Sequence, residues 1–259
     1  MTAHELSADL KNTAREKLAG KYGNAVVIFL LFFLIQLIGL QAITLPVAFV
    51  SAFISVLAGS SQMGIGYYIV LYLLETAFSI FANMLNTGLA LFFLNMSCGR
   101  TALVSDLVYG YRYLFKKSFA ISAILVGLRT LVMLPYDICY FMYATSTDAS
   151  PKWAYYMVIA MIFGSIASLI ITLFFSQVYY LLLDFPKHDV KQLFATSVRI
   201  MKGRKLKYLY LDFSFLPLEL LSILTFGIGA LWVSPYRMQT MALFFLDVMK
   251  SGRTETNPL

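Results

Sequence analysis

Residues 24–43 read NAVVIFLLFFLIQLIGLQAI. No charge interrupts the run, and its length is what the membrane requires: a hydrocarbon core about 30 Å thick is crossed by about 20 helical residues. A helix that is apolar on every side is buried either in a large protein core or in lipid. The rest of the chain decides between them. It is 60% hydrophobic and 13% charged, with a mean hydropathy of +0.77, whereas a soluble domain is about one quarter charged. The composition is that of a membrane protein.

Working outward, positive charge precedes the run as it would in a signal peptide. The stretch before it is too long for that role, the run is longer than a signal core, and no small-x-small site follows. It is read as a retained first span, with Pro46 marking its end or a kink. The apolar stretch Val47 to Leu57 is too short to cross alone, and residues 44–66 read as re-entrant, interfacial or a loop. Further spans are expected at Tyr67 to Met96, Ser118 to Ala144, Trp153 to Leu183, Tyr208 to Phe226 and Ile228 to Met249. The fold class is thus all-α, a polytopic membrane protein of six transmembrane helices. It forms one integral membrane domain over 1–259: a cytoplasmic amphipathic helix at 1–23, a six-span bundle at 24–249 and a cytoplasmic tail at 250–259.

Lys and Arg in short loops stay on the cytoplasmic side. Lys11, Arg15, Lys17 and Lys21 precede span one, Arg100, Arg112, Lys116 and Lys117 follow span two, and Lys250 and Arg253 follow span six. The loop after span four carries Lys187, Lys191, Arg199, Lys202, Arg204, Lys205 and Lys207, and the opposite loops offer only Lys152. Both termini are therefore placed in the cytoplasm. The basic run from Arg199 to Lys207 anchors the next span, and Tyr208 and Tyr210 behind it suit the interface. Nucleic-acid binding would need a recognisable module with base-stacking aromatics, and none is read here.

The three cytoplasmic segments share one design, an amphipathic helix leading into a hairpin. The first carries Leu6, Leu10, Ala14 and Leu18 at four-residue steps, with Thr2 and Glu5 at capping-box spacing. The third places Val190, Leu193, Phe194, Ser197 and Met201 on one face, with Lys191, Arg199 and Lys202 on or near the other. The middle one, TALVSDLVYGYRYLFKKS at 101–118, is more aromatic and ends in lysines. Such helices lie in the headgroup layer and attract anionic lipid at about 1 kcal/mol per cation. The seven cations of the third segment are the candidate anionic-lipid contacts.

Four of the charges inside spans fall at one depth, Glu75, Arg129, Glu219 and Arg237. Counted along the helices, Arg129 and Glu219 lie roughly 17 Å above the inner edge, and Glu75 and Arg237 about 12 to 14 Å below the outer one. Each costs about 2.5 to 3.5 kcal/mol unpaired at that depth, so Glu219 is expected to pair with Arg237 and Glu75 with Arg129. Two readings of the layer stand. One is a polar pathway or proton relay. The other is a buried ion-pair layer that fixes packing, helped by Gln36, Asn83, Asn86, Asn95 and Gln177. Asp137 is placed near the outer edge, in reach of water.

Cys98 and Cys139 fall at opposite faces and are expected to be free. His4 and His188 sit in polar flanks with no second ligand at metal spacing, so neither a metal nor a cofactor is expected. No nucleophile–base arrangement or phosphate loop is read, and no catalytic residue is assigned.

SQVYYLLLDFP at 176–186, Ser197 with MKG at 201–203, LDFSF at 211–215 and TFGIGALWVSPY at 225–236 resemble the bacterial membrane-protein family called domain of unknown function 975. The resemblance implies a multi-span protein, mainly of Gram-positive bacteria, without assigned catalytic residues. More distantly, the chain resembles the membrane domain attached to some glycerophosphodiester phosphodiesterases. Together these expectations describe a non-catalytic protein of the bacterial cell membrane, an interaction or accessory component. Its partners would be the bilayer, anionic headgroups and an unidentified membrane protein. The alternative is a transporter or lipid-handling protein whose pathway passes Glu75, Arg129, Glu219 and Arg237.

Overall fold

The computed structural model describes residues 7–59, 65–145 and 152–256. The capping pair Thr2 and Glu5, and Leu6, lie outside the described residues, as do residues 60–64 of the 44–66 segment. Among the described residues every regular element is a helix. They are α1 (Ser7–Leu18), α2 (Tyr22–Leu57), α3 (Ile65–Asn83) and α4 (Leu85–Ser97), then a 3-10 turn (Val104–Val108) and the one-turn α5 (Tyr109–Arg112). There follow α6 (Phe115–Thr145), α7 (Lys152–Phe175), α8 (Val178–Asp184), α9 (Val190–Ile200), α10 (Lys205–Phe213), α11 (Leu216–Leu224) and α12 (Ala230–Thr256).

Four rods are long and apolar enough to cross a membrane: α2, α3 with α4, α6, and α7 with α8. They coincide with the first four expected spans, with one correction. The first does not end at Pro46, because α2 runs through it to Leu57 for 36 residues, about 54 Å at 1.5 Å per residue. Proline inside a helix is tolerated where neighbouring groups take up the freed carbonyl. Residues 44–57 are thus neither a re-entrant piece nor a loop.

The fifth expected span is split. Ser214 and Phe215 separate α10 from α11, each nine residues long and too short to cross by itself. The sixth lies within α12, whose Arg237, Gln239, Thr240 and Asp247 make it more polar than the four rods. The middle amphipathic segment also differs from expectation. Instead of a helix it forms the 3-10 turn and α5, because the Asp106 carboxylate takes the Leu103 backbone N–H at 3.1 Å and the Asn95 amide at 3.3 Å, folding the chain back on itself.

The chain divides into two compact units. The first comprises Met1–Phe33, Met84–Ile121 and Leu173–Leu259. Its core joins Leu10, Ala14 and Leu18 of α1 to Phe92, Phe93 and Met96 of α4 and to Phe244 and Val248 of α12. The four-residue apolar repeat of α1 is thereby spent on protein packing rather than on lipid alone. Leu193 and Ser197 of α9 and Leu107 of the 3-10 turn are buried in the same unit.

The second unit, Leu34–Asn83 and Ser122–Thr172, is built from the remaining lengths of α2, α3, α6 and α7. Close packing occurs at Gly39, against the Phe78 ring, and at Gly164, against Met133. Most of its large apolar side chains are uncovered, Phe49 being 74% exposed and Phe53 59%. In water each such side chain would forfeit about 25 cal/mol per Å² of apolar surface, a cost that a lipid surround would remove.

Candidate functional site

The ionisable groups of α10, α11 and α12 meet in one cluster within the first unit. Arg237 donates from Nε to Asp212 Oδ1 at 2.8 Å, places Nη2 at 2.6 Å from the same oxygen, and donates from Nη1 to Glu219 Oε1 at 3.0 Å. The expected partnership of Glu219 and Arg237 is present. Asp212 was not anticipated, although it precedes Glu219 by seven residues, two helical turns, a spacing that would have placed both acids on one side. Below it, Lys207 Nζ reaches Asp247 Oδ2 at 2.7 Å, and this carboxylate is only 7% exposed.

The other expected pairing fails. Among the described residues no ion pair joins Glu75 to Arg129; Arg129 is exposed on α6. Glu75 instead lines a cavity of about 480 Å³ between α3 and α6 together with Asp137 and Tyr72. The two carboxylates are close enough to repel one another, and the Tyr72 hydroxyl faces Asp137 without closing a hydrogen bond. Asp137 therefore belongs to this cavity and is not a bystander at the rim. Eight residues separate Arg129 from Asp137, which turns their side chains about 80° apart around the helix.

The cations of the third amphipathic segment divide into two groups. Lys187, Lys191, Arg199 and Lys202 are exposed. The rest turn inward: Arg204 donates to the Ile200 carbonyl at 3.1 Å, Lys205 Nζ sits 3.2 Å from the centre of the Phe174 ring, and Lys207 is bound to Asp247. Sequence position alone does not separate the groups, because the chain turns at Gly203 (φ +77°) between them.

Each amphipathic element closes against an interrupted helix. Lys11 of α1 donates to the Ser214 carbonyl at 3.1 Å, at the α10–α11 break, with Nζ 4.4 Å from the Phe215 ring centre. Burial, then the neighbouring Arg15, pushes the Lys11 ammonium below the usual lysine range. Ser197 of α9 donates to the Phe174 carbonyl at 2.8 Å, at the α7–α8 break. Gly110 of α5 lies against the Met84 carbonyl between α3 and α4. A freed carbonyl buried without a partner is costly, so Ser197→Ala should lower stability by about 1 kcal/mol. Thermal unfolding in detergent checks this, with Thr196→Ala, one residue earlier on the same helix and only half-buried, as control.

Residues 1–252 match the family described as Protein of unknown function (DUF975). The chain belongs to DUF975. No curated protein and no solved structure matches it. The stretches by which it resembles DUF975 contain Gln177 and Asp212 and end beside Arg237, so they run through the ion cluster and the α7–α8 break. Cys98 and Cys139 are both free.

Proposed function

We propose that this DUF975 protein is a non-catalytic component of the bacterial cell membrane, crossing it six times with both termini in the cytoplasm. It serves as an interaction or accessory protein whose basic face rides on the inner leaflet. The observation that carries this reading is the division of α9, with Leu193 and Ser197 buried in protein while Lys191 and Arg199 face outward. A non-catalytic role is supported by the engagement of Arg237 and Lys207 in fixed ion pairs with Asp212, Glu219 and Asp247.

The six-crossing topology is tested at the hairpin between α11 and α12. Phe226 is 98% exposed, and the turn closes through the Gly227 N–H on the Ser222 carbonyl at 2.9 Å, with Gly227 at φ +84°. In a background without Cys98 and Cys139, Phe226→Cys should react with a membrane-impermeant maleimide from outside intact cells. Lys202→Cys should react only after the cells are opened. Protection of the first position would reduce the count to four crossings.

The lipid reading predicts a second result. Replacing Lys187, Lys191, Arg199 and Lys202 by Gln should strip anionic lipid from the purified protein, at about 1 kcal/mol per cation. Lipid mass spectrometry after detergent extraction would show it, and unchanged phosphatidylglycerol retention would refute it. For the accessory role, photo-crosslinking from Leu206, 78% exposed beside the basic face, should give a discrete adduct with another membrane protein.

Transport or lipid handling is the second reading. It is favoured by Glu75 and Asp137 sharing a cavity with no cation from the described residues paired to them. Glu75→Gln in folded protein would then abolish function without loss of stability.

A further inference from the structure

Two of the four long rods are broken, α3 from α4 at Met84 and α7 from α8 at Ser176 and Gln177. Each is the second helix of its hairpin, and each rod runs 33 residues in all. A break frees backbone N–H and C=O groups, which at membrane depth persist only where protein or a hydrated cavity receives them. Paired interruptions in corresponding helices of a repeated architecture are where membrane proteins place small-molecule sites.

Both breaks border one cavity of about 160 Å³ inside the first unit. Asn86 and Ala90 reach it from α4, Ser176, Gln177 and Tyr180 from the second break, and Tyr208 from α10. Gln177 is 1% exposed. Its Nε2 meets Ser176 Oγ at 2.9 Å, and its Oε1 has no partner. Turning the amide over does not help, because one Ser176 hydroxyl can satisfy only one end of it. A buried polar atom left in this state is rare in native proteins and marks a missing partner.

The partner's chemistry follows from the lining. No Lys, Arg, His, Asp or Glu lines the cavity, so an ion would enter without counter-charge. A hydroxyl both donates and accepts and so suits either end of the Gln177 amide. Phe93, Met238 and Met241 are among the apolar residues of the wall and favour a ligand with C–H surface over a file of waters.

We propose that this cavity is a binding site for a small neutral polyol of about three carbons, held on the Gln177 amide between the two broken helices. The inference stands independently of the accessory role and of the number of crossings.

Equilibrium dialysis of radiolabelled glycerol against the purified full-length protein, prepared without polyols, tests it. Binding is read rather than thermal stability, because polyols stabilise most proteins by exclusion from their surface. Glycerol should bind saturably. Sorbitol, with twice the carbon chain, should not displace it from a cavity of this size. Gln177→Met keeps the volume and removes the amide, and should weaken binding at least about tenfold, the worth of one lost hydrogen bond. Ala90→Leu should fill the space and abolish it. No saturable binding by the wild-type protein means that the cavity holds water alone and overturns the proposal, whatever the variants do. Equal displacement by sorbitol, or binding unchanged in both variants, overturns it as well.

Discussion

With the cluster in the bilayer, as the six-crossing topology proposes, Arg237→Gln should destabilise the protein by about 3 kcal/mol, the loss expected when one partner is removed from a desolvated ion pair. The variant leaves Asp212 and Glu219 as two carboxylates without their cation. The expected order of cost is Arg237→Gln, then Asp212→Asn, then Glu219→Gln, since Arg237 approaches Asp212 through two nitrogens and Glu219 through one. Combining Arg237→Gln with both acid-to-amide changes should restore most of the loss, because no unpaired charge is then left.

The size of the effect also reports where the cluster sits. Arg237 is 40% exposed and Glu219 38% without a bilayer. An exposed pair in water contributes at most about 1 kcal/mol, whereas the same exposure to hydrocarbon leaves the charges desolvated. Thermal unfolding in detergent micelles and steady-state abundance in cells would both be measured. A loss below about 1 kcal/mol would put the cluster in water and remove the fifth and sixth crossings from the proposed topology.

What the sequence disclosed was what hydropathy and periodicity measure. The four apolar rods follow from uninterrupted apolar length, and Leu10, Ala14 and Leu18 follow from a four-residue step that α1 buries as a stripe. Hydropathy does not register a break. Tyr208 to Phe226 keeps its apolar average while Phe215, fully buried, sits where α10 and α11 part.

The charge layer shows a second limit. Counting residues gives depth along a helix but not direction around it, and so Glu219 found Arg237 while Glu75 met Asp137 instead of Arg129. The middle amphipathic segment fails for a third reason: Asp106 competes for backbone N–H groups locally, and this favours turns over helix. The threefold design survives in a different sense, since α1, α5 and α9 each close against an interrupted helix. None of those contacts can be read from an amphipathic helix taken alone.

Gly88→Ala should have the opposite sign from Gly127→Ala, and the contrast isolates the contact between α4 and the 3-10 turn. In a helix interior open to its surroundings, alanine is favoured over glycine by about 1 kcal/mol. Gly127 in α6 meets that condition, with no heavy atom beyond its own helical turn within 4 Å of the place an added methyl would take, and its substitution should be neutral to stabilising. At Gly88 a methyl would overlap the Leu107 carbonyl and crowd Asp106 O at 2.5 Å. Both obstacles are backbone, in a turn pinned by Asp106 to Leu103 N and Asn95, so no side-chain rotation relieves them. Overpacking of this kind costs about 1 to 3 kcal/mol where neighbours can shift, and here the turn must detach from α4. Gly88→Ala should therefore lower the unfolding temperature and the yield of folded protein, and expose Leu107, which is 3% exposed in the intact unit. Cleavage by a soluble protease within 101–112, absent in wild type and in Gly127→Ala, would show that the turn has come away. If Gly88→Ala instead behaves like Gly127→Ala, then α4 does not need its close backbone contact, and the packing of the middle amphipathic element on that helix is wrong.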